Sequence, residues 1–577
     1  MVDTMQRFHH HGLTALLTTT LVACGGGSGQ NATPAGASAS TSIEASPSAV
    51  VPPSVAVDTS VVTPAVDPAT LRASSTAYAG YLSTLLNVFK AVTQTLENSA
   101  SNFINGPQTA TSRIQRASCG AGSQPETGLQ GQVPLEDRKS GRSQQGYSCN
   151  MELVGQYQGE GATWVNPFYE KCAYMATSFS GIPFKRSQGV QVVDVSDTRN
   201  PKLSTNLTSP AFFTGTWETL KVNDKRGLLA GVAVGPAVAA AFFDVYDISD
   251  NCAKPVLANS FNGNLTLPAN VLGHEGNWSP DGLTYWASGL AGGSLTAIDV
   301  TNPKKPRIVY TGTSVVVNHG FELSEDGKRM YLSTAFPAGV VILDVSDVQA
   351  RKTVPIVRQV GSVFWNTAGV GQHTIPVVMQ GKPYLVAVDE FAAESVKFID
   401  ISDETQPRVA SKLQLEIHLP QHANERLKDV TGNGLFGYEA HYCSVDRRIE
   451  PTAMACGFFQ SGVRVFDIRD PFNVKEIAYF NPPAQVGKAG RLHGSEHTSP
   501  AVGNLVGLSA SDAANLNQGS LPTILTQVLA NPLAISSNLT ADYCSSPPKF
   551  VGGDQLWVTC QDNGVMVLKF KNAAYPL

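Results

Sequence analysis

Seven segments of the chain carry one pattern, and a repeat of this kind leaves few folds open to it. They are Gly189-Val-Gln-Val-Val-Asp194-Val-Ser-Asp197, Phe243-Asp-Val-Tyr-Asp247-Ile-Ser-Asp250 and Ser294-Leu-Thr-Ala-Ile-Asp299-Val-Thr-Asn302, then Val340-Val-Ile-Leu-Asp344-Val-Ser-Asp347, Val396-Lys-Phe-Ile-Asp400-Ile-Ser-Asp403 and Val463-Arg-Val-Phe-Asp467-Ile-Arg-Asp470, and a degenerate last copy, Val565-Met-Val-Leu-Lys569-Phe. In each full copy an apolar strand rich in β-branched residues runs into an aspartate. That carboxylate suits an Asx-type turn that accepts backbone N–H groups. A proline soon after, at Pro201, Pro255, Pro306 and Pro407, suits the start of an edge strand, where no ladder donor is needed. Upstream lie strand pairs such as Trp278-Ser-Pro-Asp-Gly-Leu-Thr-Tyr-Trp286, whose Asp281-Gly282 is a hairpin signal, as is Asp326-Gly327. Each repeat therefore reads as four antiparallel strands, and seven of them as an all-β, seven-bladed β-propeller.

The Val-Val-Asp and Ile-Leu-Asp cores resemble those of the LVIVD-repeat family, and the resemblance covers roughly residues 147–571. It implies a propeller and says little about activity. Ahead of residues 147–577 the chain reads as four further parts. In 1–23, Arg7 and the apolar and threonine-rich stretch Leu13 to Ala23 read as an export signal, too short to span a bilayer. Leu21-Val22-Ala23-Cys24 resembles the lipobox of bacterial lipoproteins. That resemblance implies lipidation at Cys24, and Gly26 in place of Asp implies the outer membrane. The alternative is an ordinary signal peptide with an incidental cysteine. Residues 24–66 are Gly, Ser, Ala, Thr, Pro and Val with almost no charge, a disordered tether. In 67–105, Asp67-Pro68 is a helix start and Leu71, Tyr78, Leu82, Leu85, Phe89, Val92 and Leu96 follow at helical spacing, which predicts one amphipathic helix. Residues 106–146 are a polar, Gly-rich connector.

A net charge of −5 with only 15% charged residues excludes an electrostatic case for nucleic acid. The expected partners are the membrane, through the lipid, and a ligand or protein at one face of a monomeric propeller. Removing Cys24 from nine cysteines leaves eight, an even number that in an exported chain suggests four disulfides. Cys443 and Cys456 fall on the first two strands of one blade, as do Cys544 and Cys560. Cys149 and Cys172 are expected to make the same bridge in the first blade, leaving Cys119 for Cys252, although eight cysteines allow other pairings.

The histidines are the chemically informative residues. His274 stands seven before Asp281, His319 seven before Asp326, and His373 seven before Gln380 in an equivalent turn. His441 stands two before Cys443 on the corresponding strand, and Trp217 stands seven before Asp224 one blade earlier. One position per blade, at the start of the innermost strand, would aim these side chains at a common axis. Convergent imidazoles suit Fe, Cu or Zn, and carboxylates can orient them. The expected metal ligands are His274, His319, His373, His441 and His497, with Glu275, Glu439, Glu496 and Trp217 beside them. His418, His422 and His493 lie on segments joining blades. The alternative is a structural ring of histidines inherited by duplication. Phosphate-loop and hydrolase-elbow patterns are missing: Gly231-Val-Ala-Val-Gly-Pro-Ala lacks Lys, and Gly494-Ser495-Glu496 lacks a closing Gly. Three functions remain: ligand or metal binding in a His-lined channel, a metal-dependent (Fe or Cu) oxidoreductase at its mouth, or a structural envelope protein.

Overall fold

The strand and turn chemistry of the repeats produces seven antiparallel sheets. The computed structural model describes residues 111–177, 189–233, 242–259, 274–289, 293–314, 317–365, 370–390, 396–430, 436–486, 488, 492, 494, 495, 497 and 540–576. Cys24 and the expected signal, tether and amphipathic helix lie outside them. The aspartate turns form as the sequence predicts. Asp194 accepts the Ser196 amide at 2.8 Å and Asp247 the Ser249 amide at 3.0 Å. Asp299, Asp344, Asp400 and Asp467 repeat the bond two residues onward. Gly282 and Gly327 occupy the left-handed region at φ 70° in the hairpins, where a side chain would be strained.

Blades one to six run through 168–207, 221–257, 275–313, 317–364, 370–414 and 442–481. Blade seven takes three strands from 549–570 and its outer strand, Met151–Tyr157, from far upstream, paired antiparallel with Gly564–Phe570. The ring is thus closed by joining the two ends of the repeat region. An apolar cluster fills each of the seven seams between blades, including that between seven and one, where Trp557 and Val567 meet Phe168 and Val193. The middle strands of the blades, such as Leu228–Val232, Thr284–Gly289 and Ser294–Asp299, are buried on both faces, which is why they read as continuous apolar runs rather than alternating ones.

The residues before Met151 also pair with the blades. Thr111–Arg113 adds a parallel fifth strand to blade five, and Tyr147–Cys149 adds an antiparallel fifth strand to blade six. Between them, buried Arg464 of blade six bonds Glu126 and Glu476, each at 2.6 Å. Four disulfides form: Cys119–Cys149, Cys172–Cys252, Cys443–Cys456 and Cys544–Cys560. The last two are as expected. The pairings Cys149–Cys172 and Cys119–Cys252 are corrected. Cys149 belongs to the strand added to blade six rather than to blade one, so it meets Cys119 of the same upstream segment, while Cys172 ties blade one to the loop after the third strand of blade two. Four disulfides match an oxidising, exported environment. No helix among the described residues is long and apolar enough to cross a membrane.

Candidate metal centre

Each inner strand begins with, or closely follows, the residue that the repeat aligns. Trp217-Glu218 precedes Lys221–Asn223 of blade two, His274 precedes Glu275–Trp278 of blade three, and His319 lies in Val317–Leu323 of blade four. His441 precedes Tyr442–Val445 of blade six. Blades two and six do not adjoin on either side of a seven-membered ring, yet their side chains touch: His441 Nε2 is 3.1 Å from Glu218 Oε1. Such a contact requires both to reach the axis.

Glu218 is the hub. Its Oε2 lies 2.9 Å from His274 Nε2 and 3.7 Å from His319 Nε2. Its Oε1 receives His441 and, at 3.2 Å, the Gln372 amide. The far nitrogens define the tautomers. His319 Nδ1 is 2.9 Å from the Gly371 carbonyl and His441 Nδ1 is 2.9 Å from the Ser545 carbonyl. A carbonyl only accepts, so both Nδ1 atoms carry hydrogen and donate. In both rings Nε2 is the atom turned to the carboxylate, and His319 Nε2 is buried with no hydrogen-bond partner. Glu218 is 2% exposed and His274, at 15%, is the most open of the group.

Burial opposes ionisation of Glu218, but His274, His319 and His441 overcome it and hold the carboxyl well below its ordinary range. Burial likewise opposes a charged His441, and Glu218 with Glu390 (3.6 Å) lifts it to about 10. Glu275 is pushed up to about 8, chiefly by burial and further by Glu218, against the pull of Lys221. Its Oε2 lies 3.4 Å from Lys221 Nζ, and the Tyr442 hydroxyl donates to its Oε1.

Of the residues expected here, His274, His319 and His441 converge, and Glu275 and Trp217 stand beside them. The Trp217 ring lies 5.2 Å from that of His274. His373, expected among the ligands, is not among the side chains that meet Glu218. The ladder of blade five shifts register between Gly371 and His373, and a bulge re-aims side chains. Gln372 takes the inward position, while His373 stacks on Tyr442 at 4.4 Å and burial pushes it down to about 3. Glu439 accepts the Gly437 amide at 2.9 Å. Glu496 and His493 lie outside the described residues.

His497 belongs to a separate buried group whose ligand atoms also lie within 4.8 Å of one another. Its Nδ1 is 2.7 Å from Asp562, which also accepts Ser495 Oγ at 2.7 Å. Asp542 completes the group, and burial and then Asp562 raise it to about 7. His418 bonds the Tyr438 carbonyl at 2.8 Å within the core.

Glu218, Gln372 and Glu390 were not singled out by the sequence. A signal existed for the first: Trp217-Glu218 sits in the register of His274-Glu275, and Glu218 and Glu275 form a parallel bridge.

Fold and site together define a seven-bladed β-propeller with a buried carboxylate–imidazole hub on its axis. No family model matches the chain, and no curated protein matches it. Solved structures similar to it include a periplasmic gluconolactonase of Pseudomonas aeruginosa, 13% identical with a TM-score of 0.39, over 54% of this chain and 83% of that one. A protein from Lactobacillus plantarum is 10% identical with a TM-score of 0.37, over 53% and 80%. A candidate 6-phosphogluconolactonase of Bacteroides fragilis is 9% identical with a TM-score of 0.40, over 54% and 82%. At these identities the likeness concerns the fold alone and carries nothing about the hub.

Proposed function

We propose that the protein binds a divalent transition metal on the propeller axis, with Nε2 of His274, His319 and His441 and the carboxylate of Glu218 as ligands. The observation that carries the reading is the pair of Nδ1–H donors bound to backbone carbonyls, which turns both Nε2 atoms on one acid. Metal-binding histidines are held this way. Spacing supports it for three of the four: one ligand atom each of Glu218, His274 and His319 lies within 4.8 Å of the others, while His441 Nε2 meets the second carboxylate oxygen of Glu218 at 3.1 Å. Fe and Cu suit the same donors. The test is metal analysis of protein prepared without a histidine tag. Stoichiometric Fe, Cu or Zn, lost in His319→Ala and Glu218→Ala, is expected. Protein that takes up none of the three, with both variants behaving as wild type, leaves a structural ring instead.

A metal-dependent oxidoreductase is the second reading. It is favoured by Lys221, Tyr442 and Glu275, whose hydrogen-bonding groups gather beside the hub. Dioxygen uptake by Fe- or Cu-loaded protein supplied with ascorbate separates it from simple binding. We also propose that Cys24 is lipidated and holds the propeller to the outer membrane. Labelled palmitate should enter wild type and not Cys24→Ala, and equal labelling of both would remove the anchor.

A further inference from the structure

Resting on the metal reading, a second layer of the site can be traced through His441, the ligand that spans the seam between blades six and seven. Its backbone amide donates to the Gly457 carbonyl at 3.0 Å, and its Nδ1 donates to the Ser545 carbonyl at 2.9 Å. Each anchor adjoins a half-cystine: Gly457 follows Cys456, and Ser545 follows Cys544. His441 itself stands two residues before Cys443. Cys443 and Cys456 are directly opposed across the first two strands of blade six, and Cys544 is bonded to Cys560 in blade seven. The two bridges also meet across the seam. The Cys544 amide donates to the Phe459 carbonyl at 3.0 Å, and a Cβ on Gly457 would lie 2.4 Å from the Cys544 carbonyl oxygen. The seam is closed tightly enough there to require glycine.

We infer that the Cys443–Cys456 and Cys544–Cys560 disulfides are positioning elements for the metal centre, holding His441 by its backbone on one blade and by its ring on the next. Supporting groups of this kind tune affinity without touching the metal, and removing them typically weakens binding by about 10–100-fold. Cys119–Cys149, on the outer edge of blade six, has no such route to the axis and provides the control.

The experiment compares Zn²⁺ affinity, by competition with a chromophoric chelator, and the visible spectrum of the Co²⁺-loaded protein. The proteins are wild type, C443A/C456A, C544A/C560A and C119A/C149A. The two axial pairs are expected to bind Zn²⁺ about 10–100-fold more weakly with an altered Co²⁺ spectrum, and the control pair to match wild type in both. Where a cysteine variant does not fold, Gly457→Ala keeps every disulfide, forces the seam apart and should show the same loss. Unchanged affinity and spectrum in the folded axial variants, Gly457→Ala included, overturns the inference while leaving the metal centre standing. Wild type that binds neither ion overturns the metal reading and this inference with it.

Discussion

Replacing Glu218 by Gln keeps its volume and removes the one charge on which three imidazoles converge. An amide oxygen can still accept from one ring, but the amide NH₂ then faces another, and His441 keeps only Glu390, 3.6 Å away. Breaking one member of a buried pair of this kind costs about 3–5 kcal/mol, a large share of the roughly 5–15 kcal/mol that holds a domain folded. The pH dependence is a sharper test than the size. His441 holds its proton to about 10 in the fold against 6.5 as a free side chain. Its stabilisation is therefore whole below 6.5 and drains away as pH rises toward 10. Glu218 has the opposite sense: held low, it stabilises above the ordinary carboxylate range and is lost only on acidification through its folded value. Both conditions hold near about pH 6. Urea unfolding of metal-free protein, with disulfides intact and a chelator present, should show the largest gap between wild type and Glu218→Gln there, closing toward pH 10. A gap below about 1 kcal/mol at pH 6, within the scale of ordinary surface substitutions, or a gap constant with pH, would refute the charge-hub reasoning.

Two further substitutions probe the supports of the hub and of the ring. Gly320→Ala places a Cβ 2.4 Å from the Gln372 carbonyl oxygen, 3.0 Å from His373 Cβ and 3.1 Å from Glu275 Oε1. It should cost about 1–3 kcal/mol by overpacking and weaken Zn²⁺ binding, read by unfolding and by chelator competition. Arg464→Ala leaves Glu126 and Glu476 buried without their shared guanidinium. We expect a loss of about 3–5 kcal/mol and cleavage within residues 114–146 by limited proteolysis before any blade is cut.

What was legible in the sequence was local. The aspartate turns, the Asp-Gly hairpins and the strand runs each lie within a few residues, so blade count and strand order could be read directly. The Cys443–Cys456 bridge joins paired strands within one blade and was legible for the same reason. Cys172–Cys252 was not, because it joins two blades whose relative placement no local pattern encodes. Met151–Tyr157 reads as the start of the first repeat yet closes the seventh blade, since an unpaired edge is satisfied only by the far end of the chain. Counting from the turns brought His274 to the hub because the inner ladder of blade three runs without a register shift, and it brought His319 there although the inner ladder of blade four shifts register around that residue. It did not anticipate that Gln372 rather than His373 would meet Glu218, because the shift in blade five leaves no trace in a run that is buried on both faces.

Two departures from the repeat meet at Glu218. Trp217, with φ 44°, holds a bulky residue in the left-handed region, a conformation that costs of order 1 kcal/mol or more and persists only where its surroundings impose it. It lies immediately before Glu218. The register shift at Gly371 and His373 turns Gln372 onto that same carboxylate and offers the Gly371 carbonyl to His319. Blade two therefore contributes an acid and blade five an amide at a place where a uniform ring would present imidazoles alone. Such a ring would bury several lone pairs around one point with nothing to neutralise a bound proton or cation. With one carboxylate at the centre, His274, His441 and Gln372 have an acceptor and a cation has a counter-charge. Backbone strain and a broken ladder, both disfavoured in a stable repeat, meet within one cluster of side chains. That coincidence favours a hub shaped for binding over one left behind by duplication.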